Sequence, residues 1–542
     1  SLDQTMELYP VVLIILNGFS LVTADYSDII NEYKPASGPW YPQTQGEPWP
    51  LPQTYEPNPS LIFLVDRMYF HFTTKHTECS ILMKALSRYQ RLIFGNDNPP
   101  TSELREAYDA VGNLEIKTLQ IKLLDEVDCN DFPGPRMNET YILKIIDQTH
   151  PVLEAYEVWG ALRGLETFSH LVFEEKGCLK MRGLYIHDWP RFTFRGVMLD
   201  TSRHFISVGK IKETLSIMEH NKFNVFHWHI TDDQSFPYKS VVFPEFSEKG
   251  SFDPVNAVYS ISQIRDIIYH ARDRGIRVIP EFDTPGHTSS WIKAKPEIGV
   301  NCTVEIPPGE ASGLLNPTEK MTYKVVRELF SEVSRVFPDE YFHIGGDEVN
   351  TYCWTENEDI IEDIPVHQRE NLESQYIKKV LNMVRTTPIN KTAMLWQDVV
   401  DNGKDIGEGP GVLQVWKSSS WSYFDAELAS QKGFDVLYSA CWYLNYINYG
   451  GDWANFYRCD PEMELNFEPI LGGETCLWGE FVDDVNLTPR LWPRASAVAE
   501  RLWSHKEVTS VSDAAKRLSE HRCRLVKRGY SAQPVTGASY CH

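Results

Sequence analysis

The pattern of apolar and polar positions changes character near residue 190. Beyond that point eight short runs rich in β-branched and aromatic residues predict β-strands. They lie at residues 194–200, 223–230, 276–282, 341–344, 392–396, 412–416, 434–439 and 470–473. Between many of them apolar residues recur three and four positions apart, as at Ile211, Leu215 and Met218, which predicts helices with one buried face. Eight strands alternating with helices over roughly 300 residues predict a (β/α)8 TIM barrel.

An open, doubly wound parallel sheet is the alternative for such an alternating pattern. Its nucleotide-binding form carries a Gly-x-Gly-x-x-Gly turn after a strand, and no strand here is followed by one. The stretches after Trp396 and after Asn445 lack helical spacing, so we expect irregular connections there.

The first third of the chain has a different organisation. Residues 61–72 and 115–124 resemble strands, and residues 79–94 and 156–173 have helical spacing, which predicts a small α+β domain. The segment before it is rich in Pro, Tyr and Trp and reads as an extended arm rather than a core element. We therefore divide the chain into a signal peptide at 1–24, an arm at 25–60, an N-terminal α+β domain at 61–187 and a catalytic barrel at 188–542.

Charge and cysteine content narrow the class of protein. Lys plus Arg number 52 and Asp plus Glu 75, a formal charge of −23, which argues against nucleic acid or an anionic membrane as a partner. The apolar run of the leader is too short and too broken for a membrane span. Ten cysteines without a Cys-x-x-Cys pair favour disulfides over a metal site, and we expect a lysosomal or secreted protein. Four glycosylation sequons agree: Asn138, Asn301, Asn390 and Asn486.

Two adjacent carboxylates, Asp347 and Glu348, end the fourth predicted strand. Ionised carboxylates lose hydration when buried, so a neighbouring pair at a strand end suggests a use. Gly345 and Gly346 precede them and allow a kink through which both acids could address one pocket. An exposed acidic turn is the simpler interpretation of these four residues taken alone.

The other predicted strands also end in charged or aromatic residues, at the barrel face where active sites form. These residues are Arg203, His204, Asp232, Asp233, Asp283, His287, Trp396, Asp398, Trp416, Tyr443, Asn445, Trp478 and Glu480. Aromatic faces stack on sugar rings while carboxylates and Arg bind hydroxyls, so the set indicates a saccharide pocket. A metal site built from His204, His227, His229, Asp232 and His287 is conceivable, but no recognised ligand spacing supports it and none is predicted.

Several long motifs resemble those of the β-N-acetylhexosaminidases of glycoside hydrolase family 20, of the animal lysosomal type. The matching stretches are LDTSRH at 199–204, NVFHWH at 224–229, EFDTPGH at 281–287, HIGGDE at 343–348, LWPR at 491–494 and, in the smaller domain, WGALRGLETF at 159–168. The resemblance implies an exo-acting, retaining enzyme that removes terminal GlcNAc or GalNAc from a glycan or chito-oligosaccharide. It implies no cofactor, and a homodimer.

The family's mechanism is substrate-assisted, an exception among retaining glycosidases. By resemblance Glu348 is the general acid and base, and we expect its burial beside Asp347 to favour its protonated form. Asp347 would orient the substrate's acetamido group, whose oxygen attacks the anomeric carbon and forms an oxazolinium ion. The resemblance also implies that Arg203 and Glu480 hold hydroxyls, Asp232 and His287 support the acids, Tyr443 binds the acetamido carbonyl, and Trp396, Trp416 and Trp478 wall the pocket.

Disulfides and one specificity position complete what the resemblance implies. The implied pairs are Cys79–Cys129, Cys302–Cys353 and Cys523–Cys541, and Cys441 could pair with Cys459. Mammalian members carry Asn-Arg or Asp-Leu where this chain has Asn445-Tyr446. The sequence therefore assigns no preference between sulfated and neutral sugars.

Two other functions compete with this interpretation. One is a non-catalytic, carbohydrate-binding relative, although a pure binder has little reason to keep a costly acid pair. The other is a conventional retaining glycosidase with a carboxylate nucleophile, for which no second acid is an obvious candidate.

Overall fold

The chain forms an N-terminal sheet domain followed by a closed barrel. The computed structural model describes residues 44–95, 114–125, 129, 131–148, 150–300, 313–355, 357, 360, 364, 371–418, 420–446, 451–465, 467, 469–536 and 540–541. The predicted signal peptide and most of the predicted arm lie outside these residues.

The N-terminal domain is a mixed sheet covered by helices. Its strands are β1 (Thr54–Val65), β2 (His71–Thr74), β3 (Glu115–Ile116), β4 (Thr118–Leu123), β5 (Tyr141–Ile145), β6 (Val152–Ala155), β7 (Phe173–Glu175) and β8 (Cys178–Asp188). They lie in the order β2-β4-β6-β5-β8-β1-β3, with β7 paired to β8. The helices Ser80–Phe94 and Val158–Leu171 share one apolar core with the sheet. The predicted α+β character of this domain is confirmed.

The predicted arm is wrong in part. β1 begins at Thr54, where it pairs with His187 of β8, so the sheet starts before residue 61. The pattern concealed this because residues 56–60 are exposed and include two prolines. Trp49, also within the predicted arm, is fully buried in a cluster with Trp453 and Leu518 and is therefore a core residue.

The helix Val158–Leu171 lies between the sheet and the barrel, and all of its residues are buried. Its Glu166 bonds His220 of the barrel at 2.9 Å and Arg528 near the carboxyl end at 2.7 Å. These buried charges fasten the smaller domain to the barrel.

The second part is a closed barrel of eight parallel strands. They are β9 (Phe194–Asp200), β10 (Val225–Thr231), β11 (Arg277–Phe282), β12 (Tyr341–His343), β13 (Thr392–Trp396), β14 (Gly411–Val415), β15 (Phe434–Tyr438) and β16 (Ile470–Leu477). Each pairs with the next in chain order, and β16 closes the barrel on β9. The predicted (β/α)8 barrel is confirmed, and the open sheet is excluded.

Helices surround the barrel and cover its apolar outer face. They are Val208–His220, Pro244–Gly250, Ile261–Arg272, Ser289–Ala294, Lys320–Val336, Tyr352–Thr355, Leu372–Arg385, Ser420–Gln431, Trp453–Arg458, Pro461–Leu465, Leu487–Leu491, Arg494–Trp503 and Val511–Lys527. Ile211, Leu215 and Met218 are buried as predicted. The connection after Trp396 begins with 3-10 turns, and two short helices follow Asn445 where an irregular stretch was expected.

The barrel interior is layered along its axis. One apolar layer takes a side chain from each of seven strands: Phe194, Val225, Ile279, Tyr341, Met394, Val412 and Leu437. Polar residues lie closer to the carboxyl ends of the strands, including His227, Glu281 and Glu474, all with no exposed surface. The apolar layer closes the barrel below, so a ligand can enter only from the carboxyl-terminal face.

Three disulfides join described cysteines. They are Cys79–Cys129, Cys441–Cys459 and Cys523–Cys541, with Cα–Cα distances of 5.1, 6.5 and 5.2 Å. Cys353 is also disulfide-bonded, whereas Cys302 lies outside the described residues. Cys178 and Cys476 are free thiols.

The predicted glycosylation sites differ in exposure. Asn390 is exposed and Asn138 is half-buried. Asn486 is half-buried and donates its side-chain amide to the Phe481 carbonyl at 2.9 Å. Asn301 lies outside the described residues. None of the helices in the described part of the chain has the length and apolar character needed to span a bilayer.

Candidate active site

The acid pair follows a tight turn at the carboxyl end of β12. Gly345, Gly346 and Glu348 have φ angles of 73°, 99° and 51°, a region that favours glycine. The Gly346 N–H donates to Asp283 Oδ1 at 2.9 Å, and a Cβ on Gly345 would lie 1.6 Å from the same oxygen. The turn is therefore packed directly against the end of β11, and it takes both acids out of the alternating pattern of a strand.

Both carboxylates of the pair meet one imidazole. His287 Nε2 lies 3.7 Å from Asp347 Oδ2 and 3.5 Å from Glu348 Oε2, while its Nδ1 lies 3.1 Å from Asp232 Oδ1. Asp347 is buried, but the Glu348 side chain is 34% exposed. The expectation that Glu348 is buried is thus wrong, because its left-handed backbone turns it toward the mouth of the barrel.

Burial acts on Asp347 instead. It raises the pKa of Asp347 to about 6; the charge of His287 opposes this, and those of Asp398 and Glu281 add to it. Burial and the charge of Asp347 raise the pKa of Asp283 well above its usual range, and these two carboxyl groups share a hydrogen bond. Both carboxyl groups therefore keep their protons to higher pH than an exposed acid does.

His287 is positively charged in this setting. Burial alone would lower its pKa, but the charges of Asp232, Asp347 and Asp283 outweigh burial and raise the pKa well above its usual range. The imidazolium can therefore donate toward either acid of the pair.

Arg203 is a largely buried cation that follows β9. Its guanidinium binds Asp200 Oδ2 and Asp232 Oδ2, each at 2.9 Å, and lies 4.9 Å from the centre of the Trp478 ring. Burial lowers the pKa of Arg203, but the charges of Asp232, Asp200 and the exposed Glu480 raise it by more. The net pKa is therefore raised, and the guanidinium stays charged. Arg203, Asp232 and Glu480 are thus brought together as predicted.

Glu281 organises a buried polar layer beneath the acids. Its Oε2 lies 2.8 Å from His229 Nδ1 and 2.9 Å from His227 Nε2. Its Oε1 lies 3.1 Å from His343 Nδ1 and accepts from Trp396 Nε1 at 2.7 Å. The layer joins the four adjacent strands β10 to β13. It extends to the site, since His229 Nε2 bonds Asp232 at 2.8 Å.

Some of these residues could place three ligand atoms around a metal ion. The described groups with ligand atoms within 4.8 Å of one another are His227, Glu281 and His343; Asp232, Asp233 and His287; and Asp283, His287 and Asp347. His204, part of the metal site considered from the sequence, instead bonds the Gly479 carbonyl at 2.7 Å. Mutual hydrogen bonds and ion pairs account for these groups, and no metal is assigned to them.

Two pairs of aromatic side chains lie near the site, and one of them packs against Arg203. Trp416 stacks on Tyr443 with ring centres 6.0 Å apart, and Trp478 packs on Trp396 at 5.9 Å. Trp396 is 1% exposed and supports the pocket from beneath rather than forming its surface. Asn445 follows Tyr443 and is half-buried.

Buried polar atoms around the pocket without a hydrogen-bond partner among the described residues include Arg203 Nε, His287 Nε2 and Asn445 Oδ1. Buried polar groups are usually satisfied, so their convergence indicates a place for a polar ligand.

Two acids near the pair had no role in the sequence interpretation. Asp283 was noted only as a strand-end residue, yet it bonds both the turn and Asp347. Asp398 accepts from Trp416 Nε1 at 2.7 Å and from the Glu348 N–H at 3.4 Å. Position after a strand was the available signal, but nothing in the sequence distinguished these acids from the others.

Comparison with known protein families identifies the family to which the chain belongs. Residues 192–506 match the "Glycosyl hydrolase family 20, catalytic domain", and residues 48–171 match a domain described as "beta-acetyl hexosaminidase like". The chain belongs to glycosyl hydrolase family 20. It is therefore a glycoside hydrolase, and the sequence resemblance is confirmed.

Named relatives extend over almost the whole chain. The beta-hexosaminidase subunit beta of Mus musculus is 43% identical over 511 residues, covering 91% of this chain and 92% of the relative. The subunit alpha of the same organism is 41% identical over 508 residues, covering 91% and 94%.

Solved structures agree. A Flavobacterium johnsoniae chitobiase matches with a TM-score of 0.75 at 30% identity, over 89% of this chain and 73% of that one. The Streptomyces plicatus N-acetyl-beta-hexosaminidase in complex with Thio-NAglucal matches with a TM-score of 0.73 at 22% identity, over 92% and 99%, a likeness of fold alone.

Proposed function

We propose that this family 20 chain is an exo-acting, retaining β-N-acetylhexosaminidase that hydrolyses terminal GlcNAc or GalNAc by substrate-assisted catalysis. One observation carries the proposal: two neighbouring acids meet the same imidazole, yet one is buried and the other is one-third exposed. Two such acids suit two tasks, one on the leaving oxygen and one on the acetamido group. The names of the relatives support the same activity.

The first half of the reaction forms a cyclic intermediate. The acetamido carbonyl oxygen attacks the anomeric carbon, the bond from that carbon to the glycosidic oxygen breaks, and Glu348 gives its proton to the departing oxygen. Asp347 accepts a hydrogen bond from the acetamido N–H and stabilises the positive charge that develops on the resulting oxazolinium ion. Asp283 and His287 hold Asp347 in place for this task.

The second half returns the catalyst to its starting state. Water attacks the anomeric carbon from the side the leaving group has vacated, and Glu348 takes its proton. The bond from the anomeric carbon to the acetamido oxygen breaks, which gives retention after two inversions. Proton transfer of this kind typically contributes about 10²–10⁴-fold to the rate.

The remaining pocket residues orient the sugar. Arg203 and Glu480 would bind its hydroxyls, Tyr443 the acetamido carbonyl, and Trp416 and Trp478 would wall its acetamido methyl and ring. The layout supports these roles, since Arg203 lies over Trp478 and Trp416 stacks on Tyr443. We extend the proposal to a homodimer in the lysosome or outside the cell, in line with the resemblance.

Release of an aryl alcohol from an aryl N-acetyl-β-glucosaminide tests the activity. We expect wild-type turnover in mildly acidic buffer and a loss of at least about 100-fold in kcat for Glu348→Gln, since the proton donor is gone. Binding of N-acetylglucosamine should survive in that variant. Glu408→Gln, a change of the same kind at a position away from the pocket, serves as the control and should match wild type.

Two outcomes would favour the competing functions. Sugar binding by a wild-type protein without turnover would favour the carbohydrate-binding relative. Substrates with progressively fluorinated acetamido methyl groups separate the two retaining mechanisms, because fluorine weakens the internal nucleophile. A steady fall in kcat is expected, and an unchanged rate would point to a carboxylate nucleophile.

A further inference from the structure

Asp398 lies next to the acid pair in the 3-10 turn Gln397–Val399, directly after β13, and the proposed reaction gives it no task. It is buried, and both of its oxygens are in use. Oδ2 accepts from Trp416 Nε1 at 2.7 Å, whereas Oδ1 accepts from Lys417 Nζ at 2.6 Å and from the Glu348 N–H at 3.4 Å. One carboxylate thus connects an aromatic wall to the backbone of the general acid.

The backbone of Glu348 needs such a support. Its φ of 51° is unfavourable for a residue with a side chain, so neighbouring groups must hold it there. Asp283 fixes the start of the turn through the Gly346 N–H at 2.9 Å. The contact from Asp398 reaches the residue with the unfavourable angle itself, from the β13 side.

Charged groups surround Asp398 on every element packed against it. Lys417 also bonds Asp401 at 2.7 Å. Lys404 donates to the Asp398 carbonyl at 3.1 Å and to Glu373 at 2.8 Å. The ammonium of Lys417 binds the Asp398 carboxylate itself. It therefore weakens the electrostatic repulsion between Asp398 and Asp347.

We propose that Asp398 is a positioning residue, which holds the Glu348 turn and the Trp416 side chain in fixed positions relative to each other. Lys417 neutralises the charge of Asp398. The inference rests on the proposed function, because the turn and the wall matter only if the acid pair acts on a sugar. Asp398 acts through other residues and need not touch the substrate.

Asp398→Asn tests the positioning directly. The amide keeps a similar shape but has one accepting oxygen for three donors, so the indole or the Glu348 N–H loses its partner. We expect kcat to fall about 10–100-fold while KM changes less than about threefold, because misplacement of a proton donor affects the transition state most. A residue with a merely structural role would lower the amount of folded protein and leave kcat per folded molecule unchanged.

The pH profile gives a second readout with opposite signs for two variants. The ionised form of Asp347 is needed, so kcat/KM falls at low pH. Asp398→Asn removes a nearby negative charge, and the acid limb should move down by about half a pH unit. Lys417→Met leaves the carboxylate uncompensated, and the limb should move up by a similar amount. Lys417 is one-third exposed, so this variant is expected to fold even if Asp398→Asn does not.

A matched control uses the exposed ion pair of Asp405 with Lys378, which has the same separation of 2.6 Å. Asp405→Asn should leave kcat, KM and the pH profile unchanged. Wild-type kcat in Asp398→Asn, or shifts of the acid limb in one direction for both variants, would overturn the inference alone. An inactive wild-type protein would instead overturn the proposed function.

Discussion

Asp347 should cost the folded protein stability at neutral pH, and its removal should return that stability. Burial raises the pKa of Asp347 to about 6 from its ordinary value of 3.8. As pH rises from about 4 to 6, the unfolded chain loses this proton while the folded chain keeps it, so stability falls across that window and then stays constant. The contribution is absent below pH 4, where both forms hold the proton.

The size of the effect follows from the same two values. Each tenfold difference in ionisation is worth 1.36 kcal/mol, so the interval between 3.8 and about 6 corresponds to about 3 kcal/mol at pH 7. The value of about 6 already includes the opposing attraction of the charged His287, so that attraction is not subtracted again. We therefore expect Asp347→Asn to be about 3 kcal/mol more stable than wild type at pH 7, or about 4 °C in Tm for a barrel of this size.

Thermal unfolding at a fixed scan rate, at pH 4 and at pH 7, measures the difference. Asp347→Asn should exceed wild type at pH 7 and match it at pH 4. Glu348→Gln is the matched control: it removes the neighbouring acid, which is one-third exposed, so its Tm should follow wild type at both values. Both variants should lose activity. The reasoning would be refuted by equal changes in Tm for the two variants, or by an Asp347→Asn variant that is less stable than wild type at pH 7.

Two further changes separate packing from charge. Gly345→Ala should abolish activity and lower the yield of folded protein, since its Cβ would lie 1.6 Å from Asp283 Oδ1. Gly403 is the control, because it has the same φ of 73° but open space around it. Gly403→Ala should keep kcat within about twofold. Lys222→Met leaves Asp188 as an unpaired buried charge at the domain contact and should cost about 3–5 kcal/mol of stability, measured as a fall in Tm, with kcat per folded molecule retained.

Much of the barrel could be predicted because its strands are buried on both faces. β9 and β13 have their predicted bounds. β16 extends to Leu477, beyond the predicted residue 473, because the charged Glu474 interrupts the apolar pattern. Inside the barrel that carboxylate bonds His227 at 2.8 Å, a tertiary contact without a local signal.

The candidate site, like the barrel, could be predicted only in part. Residues that come directly after strands were predicted to converge, and Arg203, Asp232 and His287 do lie together. The different exposure of Asp347 and Glu348 could not be predicted, because it depends on the φ angle at Glu348 and on the packing of its turn. Sequence reasoning identified the acids and missed which one is buried.

That difference in exposure bears on how neighbouring acids can divide a reaction. A proton donor must reach a leaving group and later a water molecule, so exposure suits the role proposed for Glu348. A carboxylate that stabilises a cationic amide acts most strongly where water is excluded, so burial suits the role proposed for Asp347. Burial also raises the pKa of Asp347, and the charged His287 opposes that rise. His287 therefore lets one turn place a carboxylate in the dry part of the pocket while its neighbour stays in contact with solvent.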